Sequence, residues 1–292
     1  MLKNTTDPRK DIKTVGVVGC GLMGGGYAQV CAMSGYDVRC SEANNEFLER
    51  GLEAIRMRLA EGIKAGQLTS EESDAIRGRI SGVIGLEGFG DCDLVIEAVT
   101  ESMDAKKEVF RALDALCAED VILGTNTSVL SVLDIAAVTN RADKVLGIHM
   151  NPLVFPVAEL VRTIATSDET VQVAIDFSRS LGKDSVVAQD IPGFIANRLL
   201  TPLLLSAIGM VESCQASRED IDKIFAKGMG WFMGPLTMAD AIGLDTLLLG
   251  CDAVYRETKD VRFVAPLLLK KMVAAGWLGM KTGKGFYDYN PQ

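Results

Sequence analysis

The chain has 292 residues, enough for about two domains, and with 48% apolar and 24% charged residues it is not an intrinsically disordered protein. Thirty Lys and Arg against 39 Asp and Glu leave a net charge of -9, which argues against nucleic acid or another polyanion as a partner. The polar run MLKNTTDPRKD lacks the apolar core of a secretion signal, and the longest mostly apolar stretch, 199–211, is too short to span a bilayer, so a cytoplasmic, enzyme-sized protein is expected.

From Thr14 to about Gln189, short β-branched runs alternate with longer helical patterns, the signature of a parallel sheet covered by helices. Strands are expected at 14–18, 37–40, 94–99, 121–124, 145–149 and 160–164. Between the second and third of these, 44–66 and 69–78 read as two consecutive helices, a hairpin that projects from the sheet. The pair Ser70 and Ser73 makes only a partial cap for the second helix, although Glu71 and Glu72 give it an acidic first turn. Near Asp190-Ile191-Pro192-Gly193 the strand runs stop and helical periodicity broken by Gly and Pro takes over. The expected domains are therefore 1–189, an α/β unit, and 190–292, which is all helical. In the second, Leu199, Leu200, Leu203, Leu204, Ala207, Ile208 and Val211 repeat at helical spacing, and Leu205 and Met210 widen the apolar face. A helix this apolar calls for burial on several sides. Pro202 is harmless if that helix starts nearby and kinks it if the helix starts earlier. The seven cysteines contain no C-x-x-C pair, which leaves neither a disulfide framework nor a metal site; they read as small core residues of a reducing compartment.

The strongest local signal is the strand at 14–18 running directly into Gly19-Cys20-Gly21-Leu22-Met23-Gly24 and then a helical pattern. In a G-x-G-x-x-G turn of this context, Gly19 permits the tight turn, Gly21 lets the backbone approach a pyrophosphate, and Gly24 lets helix and strand pack closely. The helix N-terminus then offers unpaired amides to the phosphates. Glu42, about 20 residues beyond, stands where an acid accepts hydrogen bonds from the ribose hydroxyls and repels a 2′-phosphate, so NAD is favoured over NADP. Arg39 lies three residues before Glu42 and points to the opposite strand face. The bland alternative is a glycine turn with no ligand.

A single histidine, His149, ends the expected strand at 145–149, where open α/β sheets place their ligands. A lone His is often structural, but this one is the chain's only ordinary side chain able to take a hydroxyl proton near neutral pH while hydride leaves for a nicotinamide.

The segments GCGLMGGGYAQ (19–29), DLVIEAVTESMDAKKEVF (93–110), ILGTNTSVLS (122–131), GIHMNP (147–152), IPGFIANRLL (191–200), MGPL (233–236), GLDT (243–246) and AGWLGMKTGKGFYDY (275–289) keep the order found in the 3-hydroxyacyl-CoA dehydrogenases. Across nearly its whole length the chain resembles that family, particularly the bacterial 3-hydroxybutyryl-CoA type. The resemblance implies a Rossmann-type, mostly parallel sheet with a helical hairpin insertion, followed by an all-α domain for substrate binding and dimerisation. It also implies NAD as cofactor, an acyl-CoA substrate and a homodimer.

For the site, the resemblance implies His149 as general base with a carboxylate partner, and Ser128 and Asn197 on the reacting oxygen. Leu22 and Met23 of the glycine loop, with Glu101, Lys106, Ser128, Asn151 and Lys281, would lie along the cofactor. Ser128 has the alternative of capping the next helix, and Asn197 that of bonding backbone in a bend. Lys106 reads as one of two lysines on a solvated helix.

Two features depart from the family pattern. The segment from His149 to the acid is two residues shorter than in H-F-F-N-P-V-P-V-M-K-L-V-E. Counting back without gaps from Asn197 places the acid at Glu159, whereas matching Pro156-Val157 places Arg162 there. Since an arginine cannot hold an imidazolium, Glu159 is chemically preferred. On the hairpin, Glu61 and Ala65 stand where relatives carry lysines, leaving Lys64 and Arg58 for the adenosine phosphates of coenzyme A. In addition, Pro156-Val157-Ala158-Glu159 is similar to the P-L-V-E of gulonate and carnitine dehydrogenases. Oxidation of such a substrate without CoA therefore stays as an alternative, and a non-catalytic NAD-binding protein as a third.

Overall fold

The computed structural model describes residues 12–290, so the polar run at the N-terminus lies outside the described residues. The chain divides into two compact units, Met1–Asp190 and Ile191–Gln292. The division falls one residue later than the sequence boundary, because the Asp190 carboxylate accepts the backbone N–H groups of Val132 and Leu133 at 2.9 and 2.7 Å and so belongs to the first unit.

In the first unit β1 (Thr14–Val18), β2 (Asp37–Glu42), β3 (Ile80–Ile84), β4 (Leu94–Glu97), β5 (Ile122–Thr125), β6 (Val145–His149), β7 (Val157–Arg162) and β8 (Asp184–Gln189) form one sheet. Their order is β3-β2-β1-β4-β5-β6-β7-β8, and every neighbouring pair is parallel except β6 with β7. The helices are α1 (Leu22–Met33), α2 (Asn45–Lys64), α3 (Ser70–Gly78), α4 (Met103–Leu116), α5 (Val132–Ala136) and α6 (Asp168–Ser180). The order turns back on either side of β1, between β2 and β4, which is the switch point where such sheets take nucleotides.

The structure corrects several sequence expectations. β3 and β8 were not anticipated: both lie at sheet edges with largely exposed side chains and carry Ser, Gly or Asp, so neither shows a continuous apolar run. β7 starts three residues and ends two residues earlier than expected, because the chain leaves the sheet at Thr163, whose backbone N–H donates to the Thr166 hydroxyl at 3.0 Å. Helix α3 has a full capping box, with Thr69 bonded to the Glu72 amide and Glu72 reaching back to the Thr69 amide, instead of a partial Ser cap. On α4 the buried residues are Lys106, Phe110 and Leu113, a stripe at i, i+4 and i+7, so Lys106 is no solvated lysine.

The second unit is helical: α7 (Ala196–Glu212), α8 (Arg218–Lys223), α9 (Pro235–Ile242), α10 (Leu244–Thr258) and α11 (Leu267–Ala274). Leu204, Ile208, Leu236, Leu244, Cys251 and Leu269 make its core. Two buried aspartates tie it together. Asp222 takes the amides of Leu236 and Thr237 at the start of α9, and Asp240 takes those of Phe286 and Tyr287 in the C-terminal segment. Helix α7 buries Leu204, Leu205, Ala207 and Ile208, but Leu199 remains 73% exposed, so burial on several sides is not met within one chain. Pro202 lies inside this helix, well past its first turn. Six of the seven cysteines are buried thiols; Cys214, just after α7, is exposed instead of being a core residue.

Candidate active site

The glycine turn carries strict steric demands. Gly19 has φ +95° and a Cβ there would lie 2.7 Å from the Ala98 carbonyl, while one on Gly24 would lie 1.7 Å from the Gly19 carbonyl. Only glycine lets α1 pack this closely on β1. At Gly21, by contrast, a Cβ would meet nothing within 4 Å, and no side chain caps the first amides of α1. An uncapped helix N-terminus facing open space fits a pyrophosphate, which would accept those N–H groups. Leu22 is exposed and Met23 half-buried beside this opening.

Glu42 ends β2 against the same loop and accepts the Cys20 amide at 2.7 Å, with its other oxygen 3.3 Å from the Ala43 amide. Arg39 is tied to Asp91 and to the Gly88 carbonyl. The nearest cation on β2 is thus already engaged by a carboxylate.

A buried polar chain continues from the end of β4. Lys106 Nζ lies 2.8 Å from Glu97 Oε1, with side-chain exposures of 1% and 0%. Glu97 also accepts the Thr125 hydroxyl and the Val99 amide, both at 2.7 Å. Lys106 then reaches Glu101 Oε2 at 3.3 Å, and Glu101 Oε1 accepts the Thr127 hydroxyl at 2.6 Å, the Ser128 amide at 2.9 Å and the Ser128 hydroxyl at 3.4 Å. Glu101, Lys106 and Ser128 are therefore brought together by one network. Ser128 does not cap the next helix; Ser131 does, accepting the Asp134 amide. Glu97 escaped sequence reasoning, although an acid closing the otherwise apolar run LVIE was a visible signal.

His149 and Glu159 are directly opposed in the antiparallel register of β6 and β7, and His149 Nδ1 lies 2.6 Å from Glu159 Oε2. Cross-strand partners stand close enough for their side chains to meet, so the shortened segment is a hairpin that closes directly on the pair. Arg162 is elsewhere, bonded to Asp168 at 2.9 Å and to the Thr166 carbonyl at 3.2 Å. Asn151 organises the turn between the strands, its side chain accepting the Leu153 amide and its carbonyl the Phe155 amide. A carboxylate at Nδ1 favours the tautomer protonated on that nitrogen, which leaves the lone pair on Nε2.

Four further candidate residues have surroundings of their own. Lys64 is exposed at the end of α2. Arg58 is tied to α1, donating to Gln29 at 2.8 Å, and burial holds its guanidinium below the ordinary arginine value. In the helical unit Asn197 occupies the first turn of α7, not a bend, and Lys281 is paired with Asp245 at 2.7 Å. Among the described residues no group of His, Cys, Asp and Glu is arranged to hold a metal ion.

Comparison with known proteins places this architecture. The family profile described as "3-hydroxyacyl-CoA dehydrogenase, NAD binding domain" matches residues 14–191, and that of the "3-hydroxyacyl-CoA dehydrogenase, C-terminal domain" matches 193–289. The chain belongs to the 3-hydroxyacyl-CoA dehydrogenase family. Among its relatives, a probable 3-hydroxybutyryl-CoA dehydrogenase of Bacillus subtilis is 42% identical over 96% of this chain and 98% of that protein. A 3-hydroxybutyryl-CoA dehydrogenase of Mycobacterium tuberculosis is 41% identical over 95% and 99%. Among solved structures, FadB2 of M. tuberculosis superposes with a TM-score of 0.94 at 41% identity, covering 96% of this chain and 99% of that one. The (S)-3-hydroxybutyryl-CoA dehydrogenase PaaH1 of Ralstonia eutropha gives 0.90 at 38%, covering 96% and 100%.

Proposed function

We propose that the protein is an NAD-dependent dehydrogenase that oxidises a (3S)-3-hydroxyacyl-CoA to the 3-oxoacyl-CoA, or runs the reverse reaction, with His149 and Glu159 as its acid–base dyad. The observation that carries this reading is the imidazole–carboxylate contact at the C-terminal end of β6, within a family whose first domain binds NAD. In the oxidation, His149 takes the proton of the 3-hydroxyl on Nε2. Glu159 holds the ring in register and stabilises the imidazolium that results. Bound NAD would supply the hydride acceptor for the carbon that bears this hydroxyl. Gly19, Gly21, Leu22, Met23 and Gly24 would seat its pyrophosphate, Glu42 its ribose, and Glu101, Lys106 and Asn151 would lie along it. Ser128, whose amide and hydroxyl both donate to Glu101, would hydrogen-bond the reacting oxygen. The substrate role of Asn197 and Lys64, and the cofactor role of Lys281, rest on the family resemblance alone.

Initial rates test the substrate class. Acetoacetyl-CoA with NADH is the expected substrate pair, with free acetoacetate turned over far more slowly. Turnover of gulonate or carnitine with NAD, and none of acetoacetyl-CoA, would overturn the reading.

Two further expectations belong to it. NADH should serve better than NADPH, because the Glu42 carboxylate repels a 2′-phosphate and Arg39 is committed to Asp91; equal kcat/KM with both cofactors contradicts this. The protein should also be a homodimer built mainly by residues 190–292, since Leu199 is 73% and Phe232 79% exposed in the single chain. Light scattering at micromolar concentration should give twice the chain mass of 31.3 kDa, and a monomer mass would refute it. No helix among the described residues is long and apolar enough to cross a membrane, and a cytoplasmic location is part of the same proposal.

A further inference from the structure

Strand β6 runs past its neighbour. The β5–β6 pairing ends at Thr125 with Gly147, since the chain turns away after β5, with the Asn126 amide bonding back to the Glu97 carbonyl at 2.8 Å. On the other side β6 stays paired with β7 as far as His149. The carbonyls of Ile148 and Met150, which flank His149, therefore face β5's side with no strand to satisfy them. A buried carbonyl in that position needs another donor.

Two side chains supply it. Tyr27, on α1 and fully buried, places its hydroxyl 2.6 Å from the Ile148 carbonyl. That hydroxyl has one proton, so it cannot also donate to the Asn126 side chain 2.8 Å away. With the amide turned so that Nδ2 faces these groups, the two N–H hydrogens of Asn126 are shared among Tyr27 Oη at 2.8 Å, the Ile148 carbonyl at 2.9 Å and the Met150 carbonyl at 3.2 Å. Burial, with Cys31 nearby, raises the Tyr27 phenol well above its ordinary value, so it remains a donor. The backbone around His149 is thus held by the β7 ladder on one side and by Tyr27 and Asn126 on the other.

We propose that Tyr27 is a positioning residue for the dehydrogenase reaction, fixing with Asn126 the backbone on both sides of His149 and so the angle at which the ring meets Glu159 and the substrate. This rests on the dyad reading above. Tyr27 projects from the helix that opens the cofactor loop, so one phenol links that helix to the strand carrying the base. A small misplacement of a catalytic group costs rate much more than binding.

The test is Tyr27→Phe, which removes one oxygen and keeps the ring. With acetoacetyl-CoA and NADH, kcat is expected to fall roughly tenfold while the KM for acetoacetyl-CoA and the Kd for NADH stay within about twofold. Placed in a His149→Gln background, Tyr27→Phe should change the residual rate by less than about twofold, because it acts through the missing ring. The proposal is overturned if kcat is unchanged, if NADH affinity falls in step with kcat, or if the same loss recurs without His149. If Tyr27→Phe does not melt cooperatively, Asn126→Ser carries the same expectations and the same overturning results. Wild-type turnover by His149→Gln alone would instead remove the dyad reading, a result obtained without touching Tyr27.

Discussion

Replacing His149 by Gln is expected to lower kcat by roughly 10² to 10⁴, the usual worth of a positioned general acid–base, while leaving NADH binding nearly intact. Glutamine keeps the approximate size of the ring but takes no proton at neutral pH. Glu159→Gln should also lower kcat, because the amide keeps the 2.6 Å contact sterically possible but no longer stabilises a positive ring. Arg162→Gln is the control: that side chain is bonded to Asp168 and the Thr166 carbonyl, and its loss should leave turnover within about twofold. The double variant at His149 and Glu159 should cost little more than His149→Gln alone, since residues that act as a unit are not additive. The assignment of the carboxylate fails if Arg162→Gln abolishes turnover and Glu159→Gln retains it.

Lys106→Met is the substitution expected to cost most in stability. A buried ion pair contributes modestly against a well-packed apolar pair, because both charges have lost their water. Removing one member is another matter, since it leaves the other charge buried and unpaired. Glu97 has no exposed side-chain surface, and after Lys106→Met it would keep only the Thr125 hydroxyl and the Val99 amide as donors. The expected loss is about 3–5 kcal/mol, read as a fall in the urea unfolding midpoint with unchanged slope. Adding Glu97→Gln to Lys106→Met should recover part of it, because the remaining group is then neutral. A loss below about 1 kcal/mol would show that the pocket around Glu97 admits water after all.

How much of this could be read beforehand depends on how local each signal is. The glycine turn was legible because strand, turn and helix follow one another, and the steric demands at Gly19 and Gly24 are met within a few residues. His149 stood out by being the one imidazole, and Glu159 by chemistry, since the alternative position holds an arginine. β3 and β8 were not legible: their pairing is set by β2 and β7, and their exposed faces carry no apolar alternation. Lys106 was misread for a related reason. Its burial depends on Glu97, on a different element, which the pattern of α4 alone does not reveal. Tyr27 presents the opposite difficulty: it lies among the apolar positions of α1, and its hydroxyl finds work only because β6 outruns β5.

The hairpin that sets His149 against Glu159 also makes the protein unusually easy to watch. With one histidine in the chain, every imidazole resonance in a nuclear magnetic resonance spectrum belongs to the dyad, and no assignment by mutation is needed. The proton held between Nδ1 and the carboxylate should resonate far downfield. Following that signal as cofactor and then substrate analogue are added would show at which binding step the base changes its protonation, a question that rate measurements answer only indirectly.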